Sequence, residues 1–201
     1  LNLMAAIAIR EAIGASAEKI QQHNIGFINA SSVGGMGDVE DIYDRLVDPA
    51  DLDESLIPFG ETLDCGHGTM ELARHFKLTG LLGTISTACS SSANALMYGA
   101  RLISNGMLDG AVCGGVDTLT RFTLNGFNSL RNIDARHCRP FDANRNGLNL
   151  GEGAAYLLLE SAEMQKATGH RPLAILNGYC NYNEAFHPTA PSPEGAGAYE
   201  A

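Results

Sequence analysis

The sequence has no long apolar run and few basic side chains, and both shortages narrow what the chain can be. No stretch of its 201 residues is long and apolar enough to span a bilayer. The 13 Lys and Arg are outnumbered by 23 Asp and Glu, which gives a formal net charge of −10. This charge argues against non-specific binding to nucleic acid or to an anionic membrane surface. We therefore expect no nucleic-acid partner and no membrane partner.

The cysteines show neither a disulfide framework nor a complete metal-binding pattern. No C-x-x-C pair occurs, and the odd number of cysteines is scattered along the chain: Cys65, Cys89, Cys113, Cys138 and Cys180. A reducing, cytoplasmic compartment fits this usage. The triplet 65–67 (CGH) resembles half of a metal site, but no second half follows it, so no metal is expected.

A glycine-rich stretch at residues 31–37 (SSVGGMG) follows a predicted strand. Two interpretations stay open, a phosphate-binding loop and a tight turn beneath an active site. The stretch lacks both G-x-G-x-x-G and a P-loop lysine, which favours the turn. No cofactor is implied.

Apolar periodicity predicts strands that alternate with helices. The predicted strands cover residues 24–30, 83–87, 110–116, 153–160 and 173–182. The predicted helices cover residues 3–13, 39–46, 70–76, 93–103 and 161–169, and helix and loop are expected over 122–132. This alternation indicates an α/β fold with a parallel or mixed sheet covered by helices, and 201 residues suffice for one good-sized domain.

The chain is organised around Cys89, which lies where the predicted strand 83–87 stops and shortly before the predicted helix 93–103. A cysteine at the head of a helix faces free backbone N–H groups and the positive end of the helix dipole. Both favour the thiolate, which is the nucleophilic form. Cys89 is therefore either a nucleophile that accepts an acyl group as a thioester or a buried structural cysteine.

Three ordered motifs carry a family resemblance over essentially the whole chain. The runs STACSSSANAL, DGAVCGGVD and CRPFDANRNGLNLGEGAAYLLLE resemble the β-ketoacyl-acyl-carrier-protein synthases of the thiolase superfamily. The resemblance implies a thiolase-like layered α/β/α/β/α fold built from two similar halves. Residues 1–182 resemble the N-terminal half without its first strand. Residues 183–201 resemble a gating-type loop and the start of the C-terminal half, the rest of which this sequence does not contain.

The resemblance also implies an activity and favours the nucleophilic interpretation of Cys89. In the family, a cysteine takes an acyl group from acyl carrier protein, with its own backbone N–H as one oxyanion donor. A malonyl thioester of the carrier is then decarboxylated, and the carbanion joins the acyl group in fatty-acid or polyketide synthesis. The family's two histidines and lysine for decarboxylation lie in the second half. The 201 residues alone are therefore predicted to be inactive in condensation.

Two phenylalanines match positions that line the acyl tunnel in the family. Phe127 follows Gly126 in a glycine–phenylalanine pair whose ring lines the tunnel. Phe59 falls where the partner subunit lends an aromatic side chain, which implies a homodimer or a heterodimer with another ketosynthase subunit. The alternative for either ring is a place in an ordinary hydrophobic core.

Other matches concern gating and docking. Glu184, Phe186, His187 and Thr189 resemble the family's mobile loop near the active site, and a purely structural loop is the alternative. Arg131 matches a position that contributes to carrier-protein docking. Acidic residues at 53–54 replace the basic residues that some members carry, which leaves a different carrier, a partner subunit or docking through the missing segment open.

Two further motifs resemble the family's signatures, and three positions differ from the residues usual in the family. Residues 139–142 (RPFD) and 145–147 (RNG) are expected to form an Arg–Asp pair and a turn. Ser92, Asn146 and Ala155 replace the family's usual Gly, Asp and Gly.

A non-catalytic partner subunit of the chain-length-factor type is the main rival function, although such subunits usually lose the cysteine. The RPFD and GEGA runs argue against a thiolase or a coenzyme-A-primed synthase.

Overall fold

A mixed sheet lies at the centre of the fold in this computed structural model, which describes residues 1–187 and 190–201. Its strands are β1 (Ile25–Ala30), β2 (Leu82–Ile85), β3 (Gly110–Asp117) and β4 (Gly153–Glu160). They are arranged in the order β2-β1-β3-β4. Strand β1 is parallel to both of its neighbours, whereas β4 is antiparallel to β3. The strands predicted at these four places and the α/β class are confirmed.

Helices cover the sheet and fill the connections between strands. They are α1 (Asn2–Ile13), α2 (Ala17–Ile20), α3 (Met36–Glu40), α4 (Tyr43–Val47), α5 (Ile57–Leu63), α6 (Cys65–Phe76), α7 (Ser91–Ser104), α8 (Arg121–Ser129), α9 (Ala162–Thr168) and α10 (Ala196–Glu200). Short 3-10 turns occupy Gly14–Ser16, Pro49–Asp51 and Glu54–Leu56. Within the described residues, no helix has both the length and the apolar character needed to cross a membrane.

The two faces of the sheet are buried by different helices. Successive side chains of a strand point to opposite faces, so neighbours in β1 enter different cores. Phe27 packs with Ile9 of α1 on one face, and Ile28 packs with Ala95 of α7 on the other. Strand β1 is buried along its whole length, which explains why its sequence is apolar at consecutive positions. The result is a helix–sheet–helix arrangement.

Paired glycines in β3 allow close packing against the neighbouring strand and helix. A Cβ atom on Gly114 would lie 2.1 Å from the carbonyl oxygen of Ala155 in β4. A Cβ atom on Gly115 would lie 2.4 Å from Ser92 Oγ in α7. Gly114 therefore lets β3 and β4 approach closely, and Gly115 lets α7 pack against the sheet.

Two predictions of secondary structure are wrong. Residues 173–182 form no strand, and Leu173 and Ile175 project into solvent. Their backbone pairs with no strand in the described part of the chain, and an apolar sequence alone cannot satisfy a ladder of hydrogen bonds. The helix predicted over 39–46 is instead two short helices, α3 and α4, that are interrupted at Asp41 and Ile42.

Candidate active site

The turn between β2 and α7 presents Cys89 to solvent. Strand β2 ends at Ile85 and α7 begins at Ser91, with Ser90 as its N-cap residue. Ala88, which precedes the cysteine, has a left-handed φ of 53°. That conformation costs a residue other than glycine about 1 kcal/mol. The Cys89 thiol is free and exposed, so the structure does not support the alternative of a buried structural cysteine.

Side chains from the first turn of α7 hold the backbone on both sides of Cys89. Ser91 Oγ accepts a hydrogen bond from the Thr87 N–H at 2.8 Å and donates to the Ala88 carbonyl at 2.6 Å. Ser90 Oγ donates to the Thr87 carbonyl at 2.8 Å. Asn94 Nδ2 donates to Thr87 Oγ1, also at 2.8 Å. Each such bond contributes about 1 kcal/mol. The three consecutive serines were visible in the sequence, but the role of Asn94 was not.

The glycine-rich stretch is a turn fastened to the end of β3. Asp117 accepts hydrogen bonds from Ser31 Oγ and the Ser32 N–H, each at 2.8 Å, and from Ser32 Oγ at 2.6 Å. Gly34 has a φ of 52°, which favours glycine. Because a carboxylate of the chain itself occupies these donors, they are not free to bind a phosphate. The contacts therefore support the tight-turn interpretation.

The other cysteines differ from Cys89 in burial or in position. Cys113 lies fully buried in β3, and loss of hydration raises the pKa of its thiol to about 12. Cys65 begins α6 but is partly buried, and burial is the main cause that raises its pKa. Cys138 and Cys180 are exposed but lie outside helices and strands. Cys89 is thus the exposed cysteine at a strand–helix junction in the described chain.

A buried polar network crosses the sheet, and the motif analysis did not anticipate it. Tyr156 Oη donates to Asn29 Oδ1 at 2.5 Å, and Asn29 Nδ2 donates to Thr69 Oγ1 at 3.1 Å. The Thr69 hydroxyl contacts the Thr84 hydroxyl at 2.7 Å. Burial, helped by the charge of Asp117, raises the pKa of Tyr156, which keeps the phenol neutral. In the sequence, the one sign of this network was an asparagine within the apolar run of β1.

The two phenylalanines predicted to line the tunnel lie on separate helices, and the predicted docking residue follows one of those helices. Phe127 is in α8 and Phe59 is in α5, and both are partly buried. No hydrogen bond or ring contact among the described residues joins either phenylalanine to Cys89. Arg131 is exposed just after α8, has a φ of 56°, and donates its backbone N–H to the Asn128 carbonyl at 3.0 Å.

The predicted gating loop is organised by Glu184. Its carboxylate accepts the Ser192 N–H at 2.8 Å and the Gly197 N–H at 3.0 Å. Phe186 is 56% exposed. His187 is also exposed, and its Nδ1 accepts the Ala190 N–H at 3.2 Å. The first three members of this set thus lie in one loop, whereas Thr189 lies outside the described residues.

We expect the Glu184 loop to loosen in acid. Hydrogen bonds hold the pKa of Glu184 below its ordinary value of 4.5, chiefly those from Ser192 and also the one from Gly197. A carboxyl with a lowered pKa stabilises the fold fully above its ordinary value and loses that effect as the pH falls through the lowered one. The amide proton shifts of Ser192 and Gly197 should therefore titrate below pH 4.5 by NMR. Glu184→Gln should abolish that titration.

Exposed Glu194 in the same segment provides the control, because Glu194→Gln should leave both amide titrations intact. Titration of the two amides at or above the ordinary pKa of Glu184, or persistence of the transition in Glu184→Gln, would contradict this assignment.

The residues 139–147 form a turn, but the expected Arg–Asp ion pair is wrong. Arg139 Nη2 donates to the Asn144 carbonyl at 2.6 Å, and Asp142 Oδ1 accepts the Asn144 N–H at 2.6 Å. Arg145 Nη1 donates to the Asp142 carbonyl at 3.0 Å. The arginines therefore bind backbone carbonyls, because the turn directs the Asp142 carboxylate to a backbone N–H.

No group of three or more His, Cys, Asp and Glu side chains suited to a metal occurs in the part of the chain described.

Comparison with known families identifies the class of protein. Residues 1–165 match the family described as "Beta-ketoacyl synthase, N-terminal domain". Because the match covers most of the chain, this protein belongs to the β-ketoacyl synthase N-terminal domain family. The resemblance inferred from the three motifs is thereby confirmed.

Individual relatives agree with this assignment. The chain is 35% identical over 188 residues to a 3-oxoacyl-[acyl-carrier-protein] synthase 2 of Rhizobium meliloti (strain 1021), a match that covers 89% of this chain and 44% of the relative. A synthase of the same name from Staphylococcus aureus is 30% identical over 208 residues, with 98% of this chain and 51% of the relative covered. The chain thus spans about half the length of these curated relatives.

Solved structures confirm the thiolase-like ketosynthase fold. The ishigamide ketosynthase/chain length factor superposes with a TM-score of 0.87 and 28% identity, covering 100% of this chain and 51% of that chain. A ketosynthase from Xenorhabdus doucetiae, solved in complex with its chain length factor, gives a TM-score of 0.78 and 32% identity. That match covers 96% of this chain and 48% of the other.

Proposed function

We propose that this chain supplies the acyl-accepting half of a β-ketoacyl-acyl-carrier-protein synthase, with Cys89 as the nucleophile. The observation that carries the proposal is the exposed Cys89 thiol on a turn between β2 and α7 that side-chain hydrogen bonds hold in place. A free thiol at such a junction is open to a bound thioester. The membership of the chain in a condensing-enzyme family supports the same chemistry.

The proposed reaction has two stages. The Cys89 thiolate attacks the carbonyl carbon of an acyl-carrier thioester, a new C–S bond forms, and the carrier leaves as its thiol after taking up a proton. The Cys89 backbone N–H stabilises the tetrahedral oxyanion. A malonyl-carrier thioester then loses CO₂, and the resulting carbanion attacks the acyl carbonyl. A C–C bond forms, the Cys89–acyl bond breaks, and the thiolate is restored.

The remaining roles extend this proposal. Phe127 lines the acyl tunnel, and Phe59 reaches the tunnel of a partner subunit in a homodimer or heterodimer. The predicted gating loop carries Glu184, Phe186 and His187, which are described, together with Thr189. The gating role of this loop is supported by the two backbone N–H groups that donate to Glu184 across the loop. The exposed Arg131 contributes to docking of acyl carrier protein, where a local positive charge offsets the net charge of −10.

A non-catalytic partner subunit is the second candidate. Two structural neighbours are described as containing or binding a chain length factor, which makes a paired assembly reasonable. The retained and exposed Cys89 favours the synthase, because a subunit that only sets product length has no use for a nucleophile.

A condensation assay on the complete protein distinguishes the two candidates. The protein is incubated with an acyl-carrier thioester and malonyl-carrier protein, and the carrier-bound product is weighed by mass spectrometry. We expect a 3-oxoacyl product two carbons longer than the donor, with release of CO₂. The product should be absent when the malonyl donor is omitted. Folded protein that gives no product alone, but co-purifies with a second synthase-like chain that does, would favour the partner subunit.

A further inference from the structure

The irregular segment 173–182 is attached to α7 at two points. The Arg101 guanidinium carbon lies 5.6 Å from the centre of the Tyr179 ring. Asn181 Nδ2 donates to Asn94 Oδ1 at 2.9 Å. Asn94 and Arg101 are seven residues apart and share one face of the helix, whereas Tyr179 and Asn181 are two residues apart in the segment. Both contacts therefore lie on the same face of α7.

These two contacts give the segment a direction. Arg101 is in the last turn of α7, and Asn94 is in its first turn. The chain from Tyr179 to Asn181 therefore runs toward the N-terminal end of α7, where Cys89 lies. A few residues later it reaches Glu184 and the predicted gating loop. The segment thus connects that loop with the turn of the nucleophile.

The Asn94 amide joins the segment to the turn. Its oxygen accepts from Asn181, while its nitrogen donates to Thr87 Oγ1 at 2.8 Å and to Ser90 Oγ at 3.3 Å. An amide oxygen can only accept and an amide nitrogen can only donate. If the Asn94 amide were rotated, its NH₂ group would face the NH₂ group of Asn181. In the arrangement observed, the Asn181 donor occupies the Asn94 oxygen, and the NH₂ group of Asn94 faces the turn.

We propose that Asn94 and Asn181 are paired positioning residues that couple segment 173–182 to the turn carrying Cys89. The inference rests on the proposed function of Cys89 as acyl acceptor. Asn94 ties together the residues on either side of Cys89, Thr87 and Ser90, so its orientation decides how the thiol is presented. Small displacements of a reacting group slow a reaction without weakening substrate binding.

Asn181→Asp is the sharpest test, because it keeps the size of the side chain and removes its donor. Asn94 must then turn its NH₂ group toward the introduced carboxylate and withdraw it from Thr87. In the complete protein, we expect single-turnover acylation of Cys89 by an acyl-carrier thioester to slow by about tenfold at saturating donor. The donor concentration at half-saturation should stay unchanged. Asn94→Ala should show a similar loss, and the double variant should lose no more than either single variant.

Tyr179→Leu is the matched control, since it removes the Arg101 contact and leaves the Asn94 amide in place. It should acylate at the rate of the unaltered protein. Equal acylation rates in Asn181→Asp and the unaltered protein would overturn the coupling, as would losses that multiply in the double variant. Asn181→Ala provides a second variant if Asn181→Asp does not fold.

Alkylation of Cys89 by iodoacetamide separates this inference from the proposed function. The reaction needs no acyl donor, so it reports how the thiol is presented even if acyl transfer does not occur. We expect the limiting alkylation rate across a pH profile to fall in Asn181→Asp and to be unchanged in Tyr179→Leu. An unchanged profile in both variants overturns the coupling. Failure of the unaltered protein to acquire an acyl group overturns the proposed function instead.

Discussion

Replacing Cys89 with alanine in the complete protein should abolish formation of the acyl-enzyme and reduce condensation by a factor on the order of a thousand or more. Alanine keeps the backbone and the N–H of residue 89 but removes the sulfur that forms the thioester. The thiol is exposed, so its removal leaves no buried cavity, and stability should change little. The measurement is the condensation rate, with the melting temperature recorded in parallel.

Cys138→Ala is the control for this experiment, because Cys138 is also a free, exposed cysteine. Its backbone N–H binds Asn149, and that contact survives the substitution. The control should condense at the rate of the unaltered protein. Condensation at an undiminished rate in Cys89→Ala, or its loss in Cys138→Ala, would contradict the assignment of the nucleophile.

Replacing Gly114 with alanine should lower the free energy of unfolding by about 3 kcal/mol. The added Cβ would lie 2.1 Å from the Ala155 carbonyl oxygen and 2.7 Å from the Tyr156 Cα. Both are backbone atoms, so no change of rotamer relieves the overlap, and β3 must separate from β4. The shift would also move Tyr156 away from Asn29, which its hydroxyl binds at 2.5 Å. Urea unfolding measures the loss.

Gly153→Ala is the matched control on the neighbouring strand. A Cβ atom there meets nothing within 4 Å, so the substitution should change the free energy of unfolding by less than about 1 kcal/mol. Equal stabilities of Gly114→Ala and Gly153→Ala would show that the β3–β4 approach is not as tight as described.

The sequence was most informative where one physical requirement decided the local structure. Consecutive apolar residues at β1 and β3 can be buried on both faces only in a covered sheet, and these strands formed as predicted. Helix α9 begins after Ser161, whose side chain accepts the Met164 N–H, and it ends at Gly169, which takes a φ of 70°. The ordered motifs were specific enough to indicate the family and the fold, which the comparisons confirm.

The sequence was less informative where structure depends on contacts between distant residues. Residues 173–182 are apolar enough for a strand, but no described strand pairs with them. An Arg–Asp pair was expected within residues 139–147, yet Arg139 donates to the Asn144 carbonyl, a choice that depends on the conformation of the turn. The link from Asn94 to Asn181 spans 87 positions and has no local signal. Pattern reasoning located Cys89 but could not show what positions it.

The most direct test of the central claim is mass spectrometry of the complete protein after incubation with a panel of acyl-carrier-protein thioesters. Intact mass reports whether an acyl group is transferred, and digestion locates it. The account predicts a single acyl adduct on the peptide that contains Cys89, with the preferred chain length reporting on the acyl tunnel that we propose Phe127 lines. Folded protein without an adduct from any donor, or with the acyl group on another cysteine, would contradict it.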